Sequence, residues 1–560
     1  MRPLDWAVVA AYLTWVIWDG LRQARRSKDV EGYLLASRSL PWWLVGLSVM
    51  ATQLSAITMI GTTGQAYANG MRFLQYYFAL PIAMIILSVT LVPFFHRANV
   101  FTAYQYLETR FDSKVRTFTA LLFLFSRSLS TAVVISAPAV VMSVILGLNV
   151  TVTCLLIGLP TTVFTMFGGV RAVAYTDVKQ MFAVIASLVT AVIVLMLGLP
   201  HSVSVGDALR VAGTTGRLQI FDFRLDFHEQ YTFWSGTVAA LFLYLSYFGT
   251  DQSQVQRYLA AKSVDEARSS LMVSAFWKIP LQALVLIVGV FMFTFYLFSQ
   301  PPMLFNPVHE DRVRSSPRAA EYAGLEQQFD AAIAQRRDAA TAFASVSGSD
   351  GEGRTAAATA FKSADEEVKR VRASAVSVVK DVTGDKSYND VNYVFPTFVT
   401  TQIPIGLAGL VVAAILVAAM SASSAELSAL STASVIDFYK RFGPKDADDA
   451  HVLMASRIAT LFWGSFASIV AIWAVELGSL IEVVNRFGSL FYGSILGVFI
   501  LAIGFKRANS TGALAGMITG MTAIVLIATY TKIAFLWHNP IAALIVVSVG
   551  LIVSELTRKK

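Results

Sequence analysis

Residues 38 to 67, RSLPWWLVGLSVMATQLSAITMIGTTGQAY, form a long apolar stretch opened by a basic residue and a proline. Small and hydroxyl residues interrupt it at Ala51, Thr52, Gln53, Ser55, Ala56, Thr58, Gly61, Thr62, Thr63 and Gly64. A helix in hydrocarbon normally hides its own backbone. A helix broken by Gly and Thr exposes part of it, and such backbone is tolerated at membrane depth only where it is buried in protein or lines a cavity. The stretch is therefore predicted to break inside a bilayer and to offer carbonyl oxygens that can hold a metal cation. Interrupted hydrophobic segments of this kind point to a binding site.

The rest of the chain fits a bilayer setting. Of its 560 residues 56% are hydrophobic and only 14% charged, against about 25% charged in soluble domains. Apolar runs long enough to span a membrane recur along almost the whole length. The net charge of +8 is carried by basic clusters in short loops, which the positive-inside rule explains better than nucleic-acid binding does. Cys154 is the single cysteine, so no internal disulfide forms, and no Cys/His metal spacing exists. The scattered histidines, among them His96, His201, His228 and His309, read as loop residues. The first apolar run lacks a basic lead and a cleavage site, so it is expected to be a retained helix.

Thirteen spans are expected, near 5–21, 41–66, 73–95, 118–146, 150–169, 177–199, 232–250, 271–298, 397–435, 452–475, 480–504, 511–530 and 534–554. Basic residues such as Arg22, Arg97, Arg110, Arg171, Arg257, Lys262, Lys440, Lys506 and Arg558 fall in alternate loops, which places those loops in the cytoplasm. The N-terminus then lies outside and the C-terminus inside. Residues 299–395 interrupt the pattern. From Gln300 to Phe395 there are 14 acidic and 12 basic residues, a net of −2, so the remainder carries +10. Ala/Glu/Arg-rich stretches at 318–345 and 354–381 flank a GSDGEG turn signal. Tyr322, Leu325, Phe329 and Ile333 recur at helical spacing. The insert is expected to be an external helical hairpin, dividing the chain into 1–298, 299–395 and 396–560. It contains no catalytic pattern.

A second unusual segment is AAILVAAMSASSAELSALSTASVIDFYKR, residues 413–441. Ser421 and Ser424, three apart, lie on nearly the same helix face. Such a run can serve close helix packing. Equally, its hydroxyls can join carbonyls of the broken helix in an oxygen-lined site for a hard cation. Asp177 reads either as a carboxylate at a helix start or as a cation ligand. Asp251 reads as an interfacial cap or a partner of Arg257. Arg127, Lys278 and Glu426 lie within spans and must face protein or water. No internal repeat is visible.

The stretches RSLPWWLVGLSVMATQLSAITMIG, LETRFDSKVR, GGVRAVAYTDVKQ, TDQSQVQRYLAAKS, the AAMS…DFYKR helix and ILAIGFKRANSTGALAG, in that order, resemble the sodium:solute symporter family. The resemblance implies an all-α integral membrane protein of about 13 transmembrane helices. Its LeuT-like core would consist of two inverted five-helix repeats, preceded by one extra helix and followed by two. It also implies a first sodium site at the carbonyls of Ala51 and Leu54 with Ala418 and Ser421, Ala422 standing where a second hydroxyl is usual and Ser423 offering a substitute oxygen. A further site would use Asp177 and Ser424, with Ala425 lacking the usual hydroxyl. The positions that touch sugar in sugar-carrying members correspond to Thr58, Tyr77 and Asn485 and depart from that pattern. Gln53, Thr58, Gln75, Tyr77, Tyr247 and Asn485 are the candidate solute-pocket residues.

The expectation is a sodium-coupled symporter, with Na+ as coupling ion, that imports a small polar organic solute across the plasma (inner) membrane by alternating access. Its partners are that solute and the lipid bilayer, without nucleic acid. A proton-coupled carrier on the same fold is the alternative, suggested by Glu426. A transporter-like sensor is a less expected reading, since a sensor usually needs an attached signalling domain and only a short tail follows residue 554, and a membrane enzyme is not expected, since no paired carboxylates, nucleophile motif or phosphate loop support it.

Overall fold

The computed structural model describes residues 1–24, 29–346, 351–385, 388–444, 448–474 and 480–558. Every element named among them is a helix, and the one extended pairing is an isolated parallel bridge between Leu40 and Ala261. Among the described residues nine helical stretches are long and apolar enough to cross a bilayer, accompanied by the shorter apolar helices Trp42–Thr52, Ser235–Gly249 and Gly488–Gly504. A helix lies on each of the thirteen expected spans, but several boundaries differ from the sequence reading, two of them beside the elements that form the site. The expected spans 150–169 and 177–199 form one stretch, Val150–Leu197, bent at Gly169, whose φ is 61°. A Cβ there would sit 2.9 Å from Tyr33 atoms, so the bend requires glycine on conformational and steric grounds. The ninth span begins ten residues later than expected. Val391–Gln402 is a separate helix, and Pro404 with Gly406 (φ 83°) precedes the long helix Leu407–Ala433.

The second span breaks as anticipated, though not at its glycines. The helix Trp42–Thr52 ends in an irregular stretch over Gln53–Ser55. The chain then re-enters helix through a π-helical segment, Thr58–Thr62, that runs into Thr63–Asn69. Gly61 and Gly64 lie in the second half. Gly64 has a packing role: a Cβ there would lie 2.0 Å from the Val391 carbonyl oxygen, so the Val391–Gln402 helix rests directly on the broken helix.

The chain enters this element through a tight strap. Ala36, Ser37 and Arg38 all have φ near 50°, a left-handed turn unfavourable for residues with a Cβ. Contacts on both sides hold it. Arg38 donates to the Val100 carbonyl at 3.0 Å and pairs with Glu31 at 3.0 Å, and the Leu40 amide bonds Ala260 O at 3.1 Å. Leu407–Ala433 is the most enclosed of the long apolar helices among the described residues, with nearly every residue buried. It packs against Val150–Leu197, Ser113–Leu146 and Pro3–Ala24, so its serines face protein on all sides.

Residues 299–395 contain three helices, Pro307–Arg314, Ala319–Ser345 and Gly351–Thr383. The last two pack on each other through Tyr322, Phe329 and Ile333 on one and Val368, Val371, Ala375 and Val379 on the other. The helical spacing of the aromatic and aliphatic residues is thus the seam of the hairpin.

The tight contact at Gly64 yields a stability test. Gly64→Val drives a side chain into backbone, an overpacking of about 1–3 kcal/mol. It should lower the unfolding temperature in detergent by several degrees. Gly324→Ala, where nothing lies within 4 Å, should leave that temperature unchanged. Equal behaviour of the two variants would contradict the packing described.

Candidate functional site

The break leaves main-chain groups that need partners, and side chains supply them. Thr52 Oγ1 donates to Ser48 O at 2.8 Å and Gln53 Nε2 to Val49 O at 3.2 Å. The Gln53 carbonyl accepts from Thr58 Oγ1 at 3.2 Å and from the Lys278 ammonium at 3.1 Å. Lys278 is fully buried and lies 5.2 Å from the Tyr77 ring centroid. A cation, a threonine and an aromatic face therefore fix the irregular backbone.

Beside the break lies a cavity of about 110 Å³. Thr52, Gln53, Ser55 and Thr58 form one wall and Ala422 and Glu426 another, with Tyr76, Tyr77, Tyr244, Tyr247 and Tyr492 around them. Its volume is small beside the roughly 300–1,000 Å³ of sites that enclose drug-sized ligands.

Arg127 crosses this cavity. It donates to Glu426 Oε1 at 2.8 Å and to the Tyr492 hydroxyl at 2.8 Å, and forms a further ion pair with Asp251. Glu426 also accepts from Thr131 at 2.7 Å. Asp251 additionally caps the helix Gln252–Leu259 through the Ser253 amide at 2.9 Å. The expected pairing of Asp251 with Arg257 is not the one formed. Arg257 reaches Asp177 instead, at 2.6 Å.

Asp177 is fully buried, eight residues beyond the Gly169 bend, so it is not the helix-start carboxylate that one sequence reading allowed. Its Oδ2 accepts from Ser48 at 2.5 Å and from Arg257, and its Oδ1 accepts from Ser421. Ser48 lies on the first half of the broken helix and Ser421 on Leu407–Ala433, so Asp177 bridges the two segments singled out in the sequence.

Of the expected first-site residues, Ala51, Leu54 and Ala418 are buried in one packed cluster, and Ser421 is on Asp177. Ser424 turns elsewhere and accepts from Thr165 at 2.8 Å. The hydroxyl of Ser423 is buried without a hydrogen-bond partner among the described residues. It lies two positions from Ser421, which a helix does not place on the same face. Ala422, where a hydroxyl is usual, lines the cavity.

Of the expected solute residues, Gln53, Thr58, Tyr77 and Tyr247 line the cavity. Gln75 does not line it. Its side chain bonds Tyr231 O at 3.1 Å and the Asp222 amide at 3.0 Å, bracing a loop. Asn485 falls on Leu480–Gly504, but its side chain lies outside the described residues. Ser48, Ser130 and Tyr492 were missed in sequence: Ser48 is a single polar group in an apolar run, Ser130 is one of several hydroxyls around Arg127, and only the fold brings them to the site. Arg127 and Glu426 carried the signal of charge within a span.

The Arg127 network yields a stability prediction. Arg127→Met leaves Asp251 and Glu426 buried without their cation, and breaking a buried pair costs about 3–5 kcal/mol. Adding Glu426→Gln should recover part of that loss, read by thermal unfolding of the purified protein. Purely additive effects would show that the two side chains do not interact.

The model of the sodium:solute symporter family matches residues 33–323 and 372–520. The sodium/sialic acid symporter of Proteus mirabilis is 25% identical over 99% of this chain and 95% of its own length. The sodium/glucose cotransporter of Vibrio parahaemolyticus is 25% identical over 92% and 84%. A solved Na+-coupled sialic acid symporter, substrate-bound and outward-open, superposes with a TM-score of 0.75 at 22% identity, covering 100% of this chain and 98% of that one, and so shares the LeuT-like fold. The family pattern covers most of the chain and the relatives align almost end to end; the chain belongs to the sodium:solute symporter family and is a sodium-coupled transporter rather than an enzyme.

Proposed function

We propose that this chain imports a small polar organic solute with sodium across a plasma membrane by alternating access, using the cavity at the helix break as the solute site. One observation carries the reading. The same two elements, the broken helix and Leu407–Ala433, wall the cavity through Gln53 and Ala422 and meet at Asp177 through Ser48 and Ser421. An ion held at the second junction presses on the first.

The sodium ligands in this reading are the carbonyls of Ala51 and Leu54 together with Ala418 and Ser421, and Asp177 supplies negative charge one layer away. Arg257 already neutralises Asp177, and Ser424 is engaged with Thr165. Both observations favour one coupled sodium over two. Gln53, Thr58, Arg127 and Glu426 would meet the polar groups of the solute, and Tyr77 and Tyr247 its body. The relatives are named for sialic acid, glucose, monocarboxylates and iodide, so kinship selects no single solute. The absence of a sugar-type pattern at Thr58 and Tyr77 favours a solute other than glucose. Loop charge supports an external N-terminus and insert and a cytoplasmic C-terminus.

Sodium and solute binding then stabilise each other by a reciprocal coupling of typically ~1–3 kcal/mol. Ser421→Ala removes one oxygen and should raise the sodium concentration for half-maximal uptake about five- to tenfold, or ~1–1.4 kcal/mol. Unchanged sodium dependence of uptake into proteoliposomes would argue against this site. Asp177→Asn should abolish sodium stimulation and lower the folded yield, because Arg257 loses its counter-charge, and Arg257→Gln in the same chain should restore the yield but not the coupling. Retained sodium stimulation in Asp177→Asn would make the carboxylate a purely structural partner of Arg257.

A further inference from the structure

A second polar space lies between the helical insert and the bundle. A cavity of about 340 Å³ is walled by Tyr67 and Phe293 of the bundle and by Phe329 and Val368 of the hairpin. A neighbouring one of about 530 Å³ shares Asn69, Arg217 and Lys369 with it.

The charges facing this space are unbalanced. Arg217, Arg336 and Lys369 converge on one buried carboxylate, Asp365, at 3.8, 3.3 and 3.1 Å. Lys369 has a second, exposed partner in Glu366 at 2.8 Å, whereas among the described residues Asp365 is the one carboxylate paired with either arginine, their other bonds going to neutral oxygens of Tyr67, Thr215 and Tyr296. The other acids nearby are committed or peripheral. Asp390 pairs with Arg372 at 2.5 Å, Asp222 is held at about 2 by its hydrogen bond to Arg224, and Glu229 lines only the neighbouring cavity. Burial pulls the Arg217 guanidinium below its usual range, with Asp365 opposing. Arg336 is 5% exposed, lines the cavity, and its Nε has no hydrogen-bond partner among the described residues. Both guanidiniums also face one ring, with Arg217 Cζ 3.5 Å and Arg336 Cζ 6.0 Å from the Phe293 centroid.

A buried cation in excess of its partners is costly unless an anion completes it. Arginine matches the planar, two-oxygen geometry of a carboxylate. The space far exceeds a monatomic ion, and its aromatic walls suit an organic body. We propose that the insert and the bundle enclose a carboxylate-binding vestibule, in which Arg217, Arg336 and Lys369 hold the acid group and Phe293 and Phe329 flank the hydrocarbon. Arg336, Asp365 and Lys369 all fall between residues 323 and 372, the segment outside the family match. The vestibule is therefore built jointly, with Arg336, Asp365 and Lys369 from the segment outside the family match and Tyr67, Arg217 and Phe293 from within it, and it stands apart from the proposed sodium site.

Benzoate is a suitable probe, titrated calorimetrically into the full-length protein in nanodiscs in sodium-free buffer. One saturable site is expected, weakening as chloride is raised. Lys369→Gln, at a half-exposed position that tolerates substitution, should weaken binding at least threefold, and Arg217→Gln about tenfold. Ser421→Ala should leave it unchanged. No saturable binding, or equal affinity in wild type and Lys369→Gln, would make the cluster merely a pin for the hairpin and overturn the proposal. Binding that requires sodium and is lost in Ser421→Ala would assign benzoate to the central cavity and overturn it as well. Given a vestibular site, uptake of labelled benzoate down a sodium gradient, with half-saturation raised by Lys369→Gln, identifies the carboxylate as cargo on its way in. Binding without uptake identifies a separate ligand.

Discussion

Main chain cannot be left bare in hydrocarbon, and the rest of this structure is arranged around the one place where the second span stops being helix. Three residues, Gln53 to Ser55, leave the ladder. Their neighbourhood answers with short, local bonds from Thr52 and Thr58 and with one long-range bond from Lys278. The long-range bond links Gln53 to the helix Val264–Phe298, so the irregular turn cannot shift without moving a second span. The same irregularity creates the cavity, because a continuous helix would have filled the space with its own side chains. A bonding problem and a cavity are here one feature.

The buried charges follow a related logic. Isolated charges inside a membrane protein are costly, and two groups of them in the described spans are gathered, while Lys278 rests on the Gln53 carbonyl. Arg127 faces Asp251 and Glu426. Asp177 faces Arg257. Each group joins elements far apart in sequence, and each lies where the broken helix meets Leu407–Ala433. The first group carries one positive and two negative charges, so an arriving solute changes a balance already in place. The second is neutral as a pair, yet Ser421 shares Asp177 with Arg257. In the proposed reading, a sodium ion that recruits Ser421 would alter the hydrogen bonding of the carboxylate and hence its hold on Arg257, which sits on the separate helix Gln252–Leu259. That would give the proposed ion binding at one junction a physical route to the end of the bundle opposite the insert.

Much of this was legible in the sequence, and the parts that were not share a cause. The broken helix, the serine-rich helix, the hairpin seam at Phe329 and Ile333, and the need for Arg127 and Glu426 to face protein all follow from periodicity and from the energetics of charge in lipid. The bend of Val150–Leu197 was hidden because Gly168 and Gly169 look like a loop between two spans, when a single left-handed glycine suffices. Asp177 was read partly as a helix-start carboxylate for the same reason: moving the helix start moves the role of every residue after it. Pairings were not legible at all. Asp251 stands six residues from Arg257 yet pairs with Arg127, and Arg257 pairs with Asp177, because helix direction rather than sequence distance decides which side chains meet. Gln75 shows the converse: a polar residue at membrane depth need not face the solute when a neighbouring loop requires a donor.

The insert poses the sharpest contrast between composition and structure. Its 14 acidic and 12 basic residues make it slightly negative, and on composition alone it should repel an anion and adhere to the basic remainder of the chain. Folding sorts those charges. Pairs such as Arg318 with Glu321 and Arg370 with Glu367 are spent on exposed helix faces, where they contribute little to stability. Arg336 and Lys369 are turned toward the bundle to share a single Asp365. A hairpin held only by complementary charge would match its partner ion for ion. This one meets Arg217 with a single carboxylate, Asp365, flanked by the cations Arg336 and Lys369, and Arg336 also reaches the bundle through the Phe293 ring and the Tyr296 carbonyl. The net charge of a segment therefore does not report the potential of the surface it presents, and a weakly acidic insert can roof a cationic chamber at the mouth of the bundle.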